Sequence, residues 1–516
     1  MEIKNGTKFK RLTSVSDLSC DSGTEYTLPD YQGDVRRILF TRCEAKPSGK
    51  FSDGDTDEFS GSVEYEVIYL DSDSRLTHTS FSSDYDLVNK RLGGDGGDAF
   101  ANPTVSTYSI RLTGPRRFSA KAIVCASVKS TGEDEVVAVG GGFDQESEIK
   151  NRMLAVRGVI GSENLEREYA ERIERLDGII ADEVEVLYSG SEVRVGGMEC
   201  SDGAVTFKGE IRLYALMLVG DSPLYCAERV VPFEELIPFA DAENEMMLIP
   251  RATVQSVTST VTADDTGCEV VLNAVVEFAA EAEYNQSVIA VSDAYVVNGE
   301  CENTYSDYRY ISLCDSVGIS DPMTVTLNGG ELVSDSLRDI PFIEVTPRLE
   351  SAAPGDGGVV LSGELKIIGI ASVVDEEGRI TYAQIKHTEP FERFVKCKVS
   401  DPEALRIEAS IGSQTASAVI DGDQVRLAFN LCGNIITSAS SCDQILATCN
   451  VSEEPAEKLD GKITVYYPTD GESLFSVGKR FKISTRRLSE TNEIAVSASA
   501  GENDVPLGEI KSLLIY

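Results

Sequence analysis

The stretch FSDGDTDEFSGSVEYEVIYLDSDSRLTH, residues 51–78, decides the fold class. After Gly61, the residues Val63, Tyr65, Val67 and Tyr69 alternate with Glu64 and Glu66. A period of two puts one set of side chains in a core and the other in water along an antiparallel strand. Asp71, Ser72 and Asp73 follow, short polar side chains that hydrogen-bond their own backbone and so reverse the chain. An acidic turn, a strand entered through glycine, a second acidic turn and a second strand together make one unit.

Outward from this stretch the unit recurs. ECSDGAVTFKGEIRLYALMLVGDSPLYCAERVVPFEELIPF (199–239) and APGDGGVVLSGELKIIGIASVVDEEGRITYAQIKHTEPFERF (353–394) repeat it around Gly209 and Gly363. The period is roughly 150 residues, the size of a domain rather than of a solenoid repeat. A further strand follows each copy: FSAKAIVCASV (118–128), EVVLNAVVEFAAEAEY (269–284) and QVRLAFNLCGNIITSAS (424–440). In the last, Val425, Leu427, Phe429 and Leu431 point one way while Arg426 and Asn430 point the other. Each unit is expected to be an antiparallel β domain.

Between the first two units lies SENLEREYAERIERLDG (162–178), where Leu165, Tyr169, Ile173 and Leu176 form an apolar stripe at helical spacing. Ser162 and Gly178 suit its two caps, and Glu163 with Arg167, Glu168 with Arg172 and Glu171 with Arg175 are favourable i,i+4 pairs. The spacing predicts a spacer helix packed on a neighbouring sheet. The expected organisation is β modules at 1–145, 181–335 and 336–457, a helix-containing linker at 146–180, and a small element of different character at 458–516.

Composition limits function. The 516 residues carry 47 Lys or Arg against 86 Asp or Glu, a net charge of −39, so phosphate backbones and anionic headgroups are repelled and a nucleic-acid partner is excluded. No signal-peptide run opens the chain, and no segment approaches the roughly 20 apolar residues that span a bilayer; a cytosolic chain without membrane insertion is expected. The 12 cysteines include no CxxC pair, which removes the paired thiolates of a zinc ribbon and leaves reduced thiols as the expectation.

His78 and His387 stand apart from any Cys, Asp or Glu cluster, so neither has the partners that a general base or metal ligand needs. Asp53, Asp55, Asp57 and Glu64 are spaced as in a calcium loop, but Glu58 occupies the position that needs glycine, and a solvated hairpin turn is the preferred reading. The glycines of RLGGDGGDAF (91–100) and VGGGFD (139–144) lack the Lys-Ser/Thr of a phosphate cradle and are expected in loops. No catalytic residue, metal site or cofactor is expected.

The last segment, TDGESLFSVGKRFKISTRRLSETN (469–492), breaks the β pattern. Leu474, Val477, Gly478 and Phe481 make an i, i+3, i+4, i+7 face, and Ser484 suits the N-cap of a second helix. Residues 458–516 hold eight basic and eight acidic side chains, so the whole charge of −39 belongs to residues 1–457. Lys479, Arg480, Lys482, Arg486 and Arg487 cluster here; they either steer the tail to an acidic partner or solvate the outer face of two helices, and both readings stay open.

The repeats resemble the SPOCS domain of clostridial spore-coat proteins, and LPDYQGDVRRILF (28–40) resembles the extended segment that precedes its first copy; the likeness covers most of residues 25–455. The tail resembles a LysM domain, with a strand at 463–467, the turn Gly471, Glu472, Ser473 and Leu474, a second helix from Ser484 to Asn492, and a closing strand at 513–516. Glu472 stands where that family usually has Asp, and Phe475 where it usually has Trp. The resemblance implies a mainly β chain of tandem antiparallel SPOCS-like domains with a C-terminal βααβ LysM-like domain. It also implies a non-enzymatic scaffold of spore-coat morphogenesis, made in the mother-cell cytoplasm and recruited to the forespore surface. Its implied partners are the coat-assembly ATPase, docked through the LysM-like domain, and other coat proteins. On the same resemblance, Gly471, Glu472, Ser473, Leu474, Phe475, Lys479, Arg480, Arg486, Arg487 and Asn492 carry the binding. The alternative implied by the LysM likeness is a peptidoglycan or N-acetylglucosamine binder, using the groove between the Gly471 turn and the Asn492 loop.

Overall fold

The computed structural model describes residues 7–54, 56–90, 97–136, 146–201, 203–220, 222–240, 246–333, 336–374, 378–399, 404–455, 463–494, 505–508 and 510–516. The chain is mainly β, in antiparallel sheets, and its strands fall into three sets. The first is β1 (Thr7–Thr27), β2 (Val35–Asp53), β3 (Thr56–Asp71), β4 (Leu76–Lys90), β5 (Ala99–Ala101), β6 (Thr104–Gly114) and β7 (Arg117–Val136). The second is β8 (Ser147–Asp177), β9 (Val184–Ser201), β10 (Ala204–Val219), β11 (Tyr225–Pro238), β12 (Met247–Asp264) and β13 (Gly267–Val296). The third is β14 (Gly299–Asn328), β15 (Ser336–Gly355), β16 (Gly358–Val374), β17 (Ile380–Lys396), β18 (Leu405–Asp421) and β19 (Gln424–Pro455), with the single turn α1 (Gly329–Leu332) after β14.

All three sets share one wiring. A meander (β2-β3-β4, β9-β10-β11, β15-β16-β17) faces a second sheet, in which the last strand of the set pairs with its first (β7 with β1, β13 with β8, β19 with β14). The alternation read from the sequence fills the space between them: Val63 and Tyr65 meet Ala120 and Val124, Phe207 and Leu213 meet Leu272 and Phe278, and Leu365 and Ile367 join Val425, Leu427 and Leu431 in one core.

The glycine that opens each central strand has a steric cause. Opposite it the neighbouring strand bulges, between Pro47 and Gly49, at Gly196, and between Leu349 and Ser351. The bulge drives a carbonyl toward the glycine: a Cβ at Gly61 would lie 2.4 Å from the Lys46 oxygen, at Gly209 1.9 Å from that of Arg194, and at Gly363 2.0 Å from that of Arg348.

The helix expected over residues 162–178 is not formed; these residues, up to Asp177, are the second half of β8, so the expected linker 146–180 is mostly the first strand of the second set. Leu165, Tyr169 and Ile173 are spaced by four, which satisfies a period of two as well as 3.6. The charges follow the same logic and pair across strands instead of along a helix: Arg167 with Glu235 at 2.9 Å, Arg172 with Glu269 at 2.8 Å and Arg175 with Asp264 at 2.7 Å. The β2–β3 turn also differs from a solvated hairpin: Asp57 is fully buried and accepts from the Ser52 hydroxyl at 2.6 Å. Asp55, residues 91–96 and residues 139–144 lie outside the described residues.

The three meanders close on one another, β4 against β9, β11 against β15 and β17 against β2. Phe40, Tyr188 and Phe342 occupy the same register position in the three sets, opposite Ile68, Leu216 and Ile370. Their rings meet at centroid distances of 6.1, 5.2 and 6.3 Å. Two residues further on, Arg42 donates to the hydroxyls of Tyr188 and Tyr214 at 3.1 and 2.7 Å and to Glu344 at 2.9 Å, while its Nε donates to Glu44 at 2.8 Å. Burial would raise the Glu44 carboxyl, but Arg42 and Lys46 outweigh it and hold it at about 2.

A second polar junction ties the outer sheets together. The buried Arg157 on β8 donates to Glu283 of β13 at 2.6 Å and to Glu408 of β18 at 2.7 Å, and Lys129 of β7 reaches Glu281 and Glu283 at 3.0 and 2.5 Å. Beyond it the long strands run on as ribbons around Leu154, Val156, Val288 and Ala290, with Tyr308, Tyr310 and Ile445 against them. The far end of the second ribbon, at Tyr295, is where the C-terminal element sits. All 12 cysteines are free thiols.

Candidate functional site

The described residues from 463 onward include β20 (Thr464–Tyr466), α2 (Leu474–Phe481), α3 (Thr485–Thr491) and β21 (Leu513–Ile515). Ser473 caps α2 by accepting from the Ser476 N–H at 3.2 Å, and Ser484 caps α3 by accepting from the Arg487 N–H at 3.3 Å. Of the stripe seen in the sequence, Leu474 and Val477 pack with Ile483, Leu488, Leu507, Leu513 and Ile515 and Phe481 lies against this core, whereas Gly478 faces the body, where a Cβ would lie 2.3 Å from the Tyr295 hydroxyl.

One side of this element is fixed to the body. Phe475, 3% exposed, lies edge-on to Tyr295 at 5.1 Å. The Tyr295 hydroxyl donates to the Ile483 carbonyl at 2.7 Å, and the Asn298 N–H donates to the Lys482 carbonyl at 2.9 Å. Lys479 grips both oxygens of Asp293 at 2.6 Å, and Lys482 reaches Glu300 at 3.1 Å. Glu148 accepts from the Thr485 N–H at 2.9 Å, at the start of α3. Burial would pull the Lys479 ammonium down, but the bonds to Asp293 outweigh it and hold it above the ordinary lysine range.

The ten candidate residues therefore do not share one surface. Phe475 and Lys479 face the body. Gly471 makes the turn in the left-handed region, at φ +86°, and Glu472 closes it, accepting from the Thr469 N–H and the Tyr466 hydroxyl and pairing with Arg480 at 2.9 Å. Backbone and hydroxyl donors so arranged lower its carboxyl. The Leu474 N–H and Glu472 carbonyl are bonded to Val505 and Leu507, at 2.8 and 3.0 Å. Asn492 is a clamp, donating to the Leu488 and Leu514 carbonyls and accepting from the Leu514 N–H. Ser473 is the cap, and Leu474 is core. Arg486 pairs with Glu490 at 2.8 Å along α3, and Arg487 lies over the Tyr516 ring at 5.6 Å. The polar groups of Glu472 and Asn492, on the two sides of the expected groove, are thus largely engaged by the chain's own hydrogen bonds.

The opposite face of the two-stranded sheet was not singled out as a site in the sequence. Val465 and Leu514 stand across from each other, flanked by Ile463, Tyr467 and Tyr516. They are 50%, 45%, 71%, 70% and 53% exposed. A signal was there: ITVYY and LLIY are apolar or aromatic at nearly every position, so a two-stranded sheet built from them has two apolar faces and its own core covers one. An apolar cluster left in water beside arginine is the usual composition of a protein-docking surface.

Among the described residues no group of three or more His, Cys, Asp and Glu is placed to hold a metal ion, and no helix is long and apolar enough to cross a membrane. His78 pairs with Glu66, and His387 pairs with Glu389 at 3.0 Å. No protein-family model matches the chain, and neither a curated protein nor a solved structure matches it.

Proposed function

We propose that this chain is a non-enzymatic scaffold of spore-coat assembly, built from SPOCS-like modules, whose LysM-like C-terminal element docks on the coat-assembly ATPase at the forespore surface. The observation that carries the reading is the uncovered face of Ile463, Val465, Tyr467, Leu514 and Tyr516, on an element whose other side is clamped to the body. An element held this way presents its apolar face in a fixed orientation, which lowers the entropy lost on docking. The resemblance supplies the partner's identity; the geometry supplies the face. Protein rather than glycan recognition is favoured because Glu472, Leu474 and Asn492, which the resemblance assigns to the binding groove, already spend polar groups within the chain.

The test is localisation in sporulating cells of the full chain carrying Val465→Asp and Leu514→Asp. Both side chains point away from the tail's core, so folding is retained, and the variant is expected to remain diffuse in the mother cell. Forespore recruitment equal to wild type would overturn the reading.

A further inference from the structure

Where the first meander meets the second set of strands lies a cleft of about 240 Å³. One side of it is the face of β2 and β3 on which Glu44 stands opposite Glu64 and Arg42 opposite Glu66. The other sides are residues 188–191 of β9 and 254–257 of β12. β12 bulges between Val254 and Ser256, and the Val254 carbonyl accepts from the Lys46 ammonium at 2.6 Å. The volume is below the roughly 300–1,000 Å³ of sites for drug-sized ligands, so only a small molecule fits.

The cleft carries more negative charge than its own cations neutralise. Arg42 is answered by Glu344 at 2.9 Å and by Glu44, which Lys46 also reaches at 3.3 Å. Glu64 and Glu66 are left over. Glu66 pairs with His78, and Glu64 makes no hydrogen bond or ion pair among the described residues. Burial raises the Glu64 carboxyl, Lys46 lowers it, and Glu66 and Glu44 raise it again, the behaviour of a carboxylate short of counter-charge. A second polar group of the cleft is stranded. Ser191 is 5% exposed, and its hydroxyl has no hydrogen-bond partner among the described residues, whereas buried hydroxyls are normally satisfied. The arrangement belongs to the first set alone: where it has Glu64 and Glu66, the second has Arg212 and Tyr214 and the third Lys366 and Ile368.

These features select a cationic guest that donates hydrogen bonds. A divalent metal ion would need several converging ligands, and among the described residues no three His, Cys, Asp and Glu side chains are placed to hold one. An ammonium group donates up to three N–H bonds and needs only a carboxylate and a hydroxyl to receive them. Glu64 and Glu66 are two residues apart on one face of β3, about 7 Å along the strand, which suits the two ends of a short diamine. The half-buried Val254 and Val257 and the Tyr188 ring offer apolar surface to the carbon chain between them. We infer that this cleft binds a short aliphatic diamine or polyamine, with one ammonium group on Glu64, the next on Glu66, and an N–H donated to the Ser191 hydroxyl. The inference does not depend on the ATPase reading.

Isothermal titration of the full chain with putrescine tests it, at about 0.1 M salt, where a Debye length of about 10 Å screens the diffuse attraction of an acidic chain for any amine. Wild type is expected to show a single saturable site per chain and to bind butylamine, which has one ammonium group, more weakly. Glu64→Gln should weaken putrescine by at least about tenfold through loss of a charged hydrogen bond. Glu210→Gln, at an exposed glutamate of the second meander, should bind as wild type does. Ser191→Ala should weaken binding without lowering the melting temperature, because it removes an unsatisfied hydroxyl. Binding that does not saturate at a single site, Glu64→Gln or Ser191→Ala binding as tightly as wild type, or an equal loss in Glu210→Gln would each overturn the proposal.

Discussion

Replacing Phe475 by Ala should release the C-terminal element from the body without unfolding it. Phe475 is 3% exposed, and its ring meets Tyr295 at 5.1 Å with the Lys150 ammonium 5.9 Å from its centroid. Truncating a buried Phe costs about 3–5 kcal/mol, and the aromatic pair is worth about 0.5–1.5 kcal/mol beyond area alone. What remains includes the half-buried Lys479–Asp293 pair, worth about 1.5–3 kcal/mol as charged hydrogen bonds, Lys482–Glu300, worth about 0–1 kcal/mol because Glu300 is 58% exposed, and the hydrogen bonds of Tyr295 to Ile483, Asn298 to Lys482 and Thr485 to Glu148. A loss of about 3 kcal/mol shifts the docking equilibrium by roughly two powers of ten. Amide hydrogen exchange reads it directly, because the Asn298 N–H is bonded to Lys482 and the Thr485 N–H to Glu148, both across the junction, whereas the Val477 N–H is bonded to Ser473 within α2. Protection at Asn298 and Thr485 should fall by about a hundredfold while Val477 keeps its own. Unchanged protection at Asn298 and Thr485, or a loss centred on Val477, would refute the reasoning, since Phe475 would then serve the tail's own fold.

The glycine argument predicts that Gly209→Ala, whose Cβ would lie 1.9 Å from the Arg194 oxygen, costs at least about 3 kcal/mol in urea unfolding, while Gly197→Ala, with open space around it, stays within about 0.5 kcal/mol of wild type. Arg157→Ala should cost about 3–5 kcal/mol in the same assay, because it strands the fully buried Glu283; a cost under about 1 kcal/mol would show that Lys129 alone balances that carboxylate. For Glu44, whose carboxyl is held at about 2 against the ordinary 4.5, the folded form binds its proton more weakly than the unfolded one. Its contribution is complete above the unfolded value and lost as pH falls from about 4.5 toward about 2. Glu44→Gln should therefore flatten the acid limb of the stability profile in that window, and an identical limb in the variant would count against the Arg42 junction.

The sequence told strand from strand but not strand from helix at 162–178. Leu165, Tyr169 and Ile173, with charges four apart, obey both periods, and only pairing with β13, about a hundred residues away, separates them. Local readings succeeded where local physics decides: Val63, Tyr65, Val67 and Tyr69 and Val425, Leu427, Phe429 and Leu431 are core as their alternation predicts, and Ser484 caps the second helix of the tail as expected. The meeting of Phe40, Tyr188 and Phe342 was visible only as three aromatics at one constant distance before the repeat glycines, a regularity that carries meaning once three sheets are known to close. In the tail, charge clustering pooled Lys479 with Arg486 and Arg487, although Lys479 turns inward to Asp293 and Arg486 outward to Glu490. Which side of a helix meets its own protein depends on tertiary docking, and a cluster of basic letters does not encode it.

The most direct test of the proposed function is a binding measurement on the purified full chain, with the coat-assembly ATPase and with peptidoglycan in parallel, comparing wild type with the Val465→Asp, Leu514→Asp variant. The account predicts retention by the ATPase that the two substitutions abolish, and no retention by peptidoglycan. Retention by peptidoglycan alone, or ATPase binding untouched by the substitutions, would contradict it.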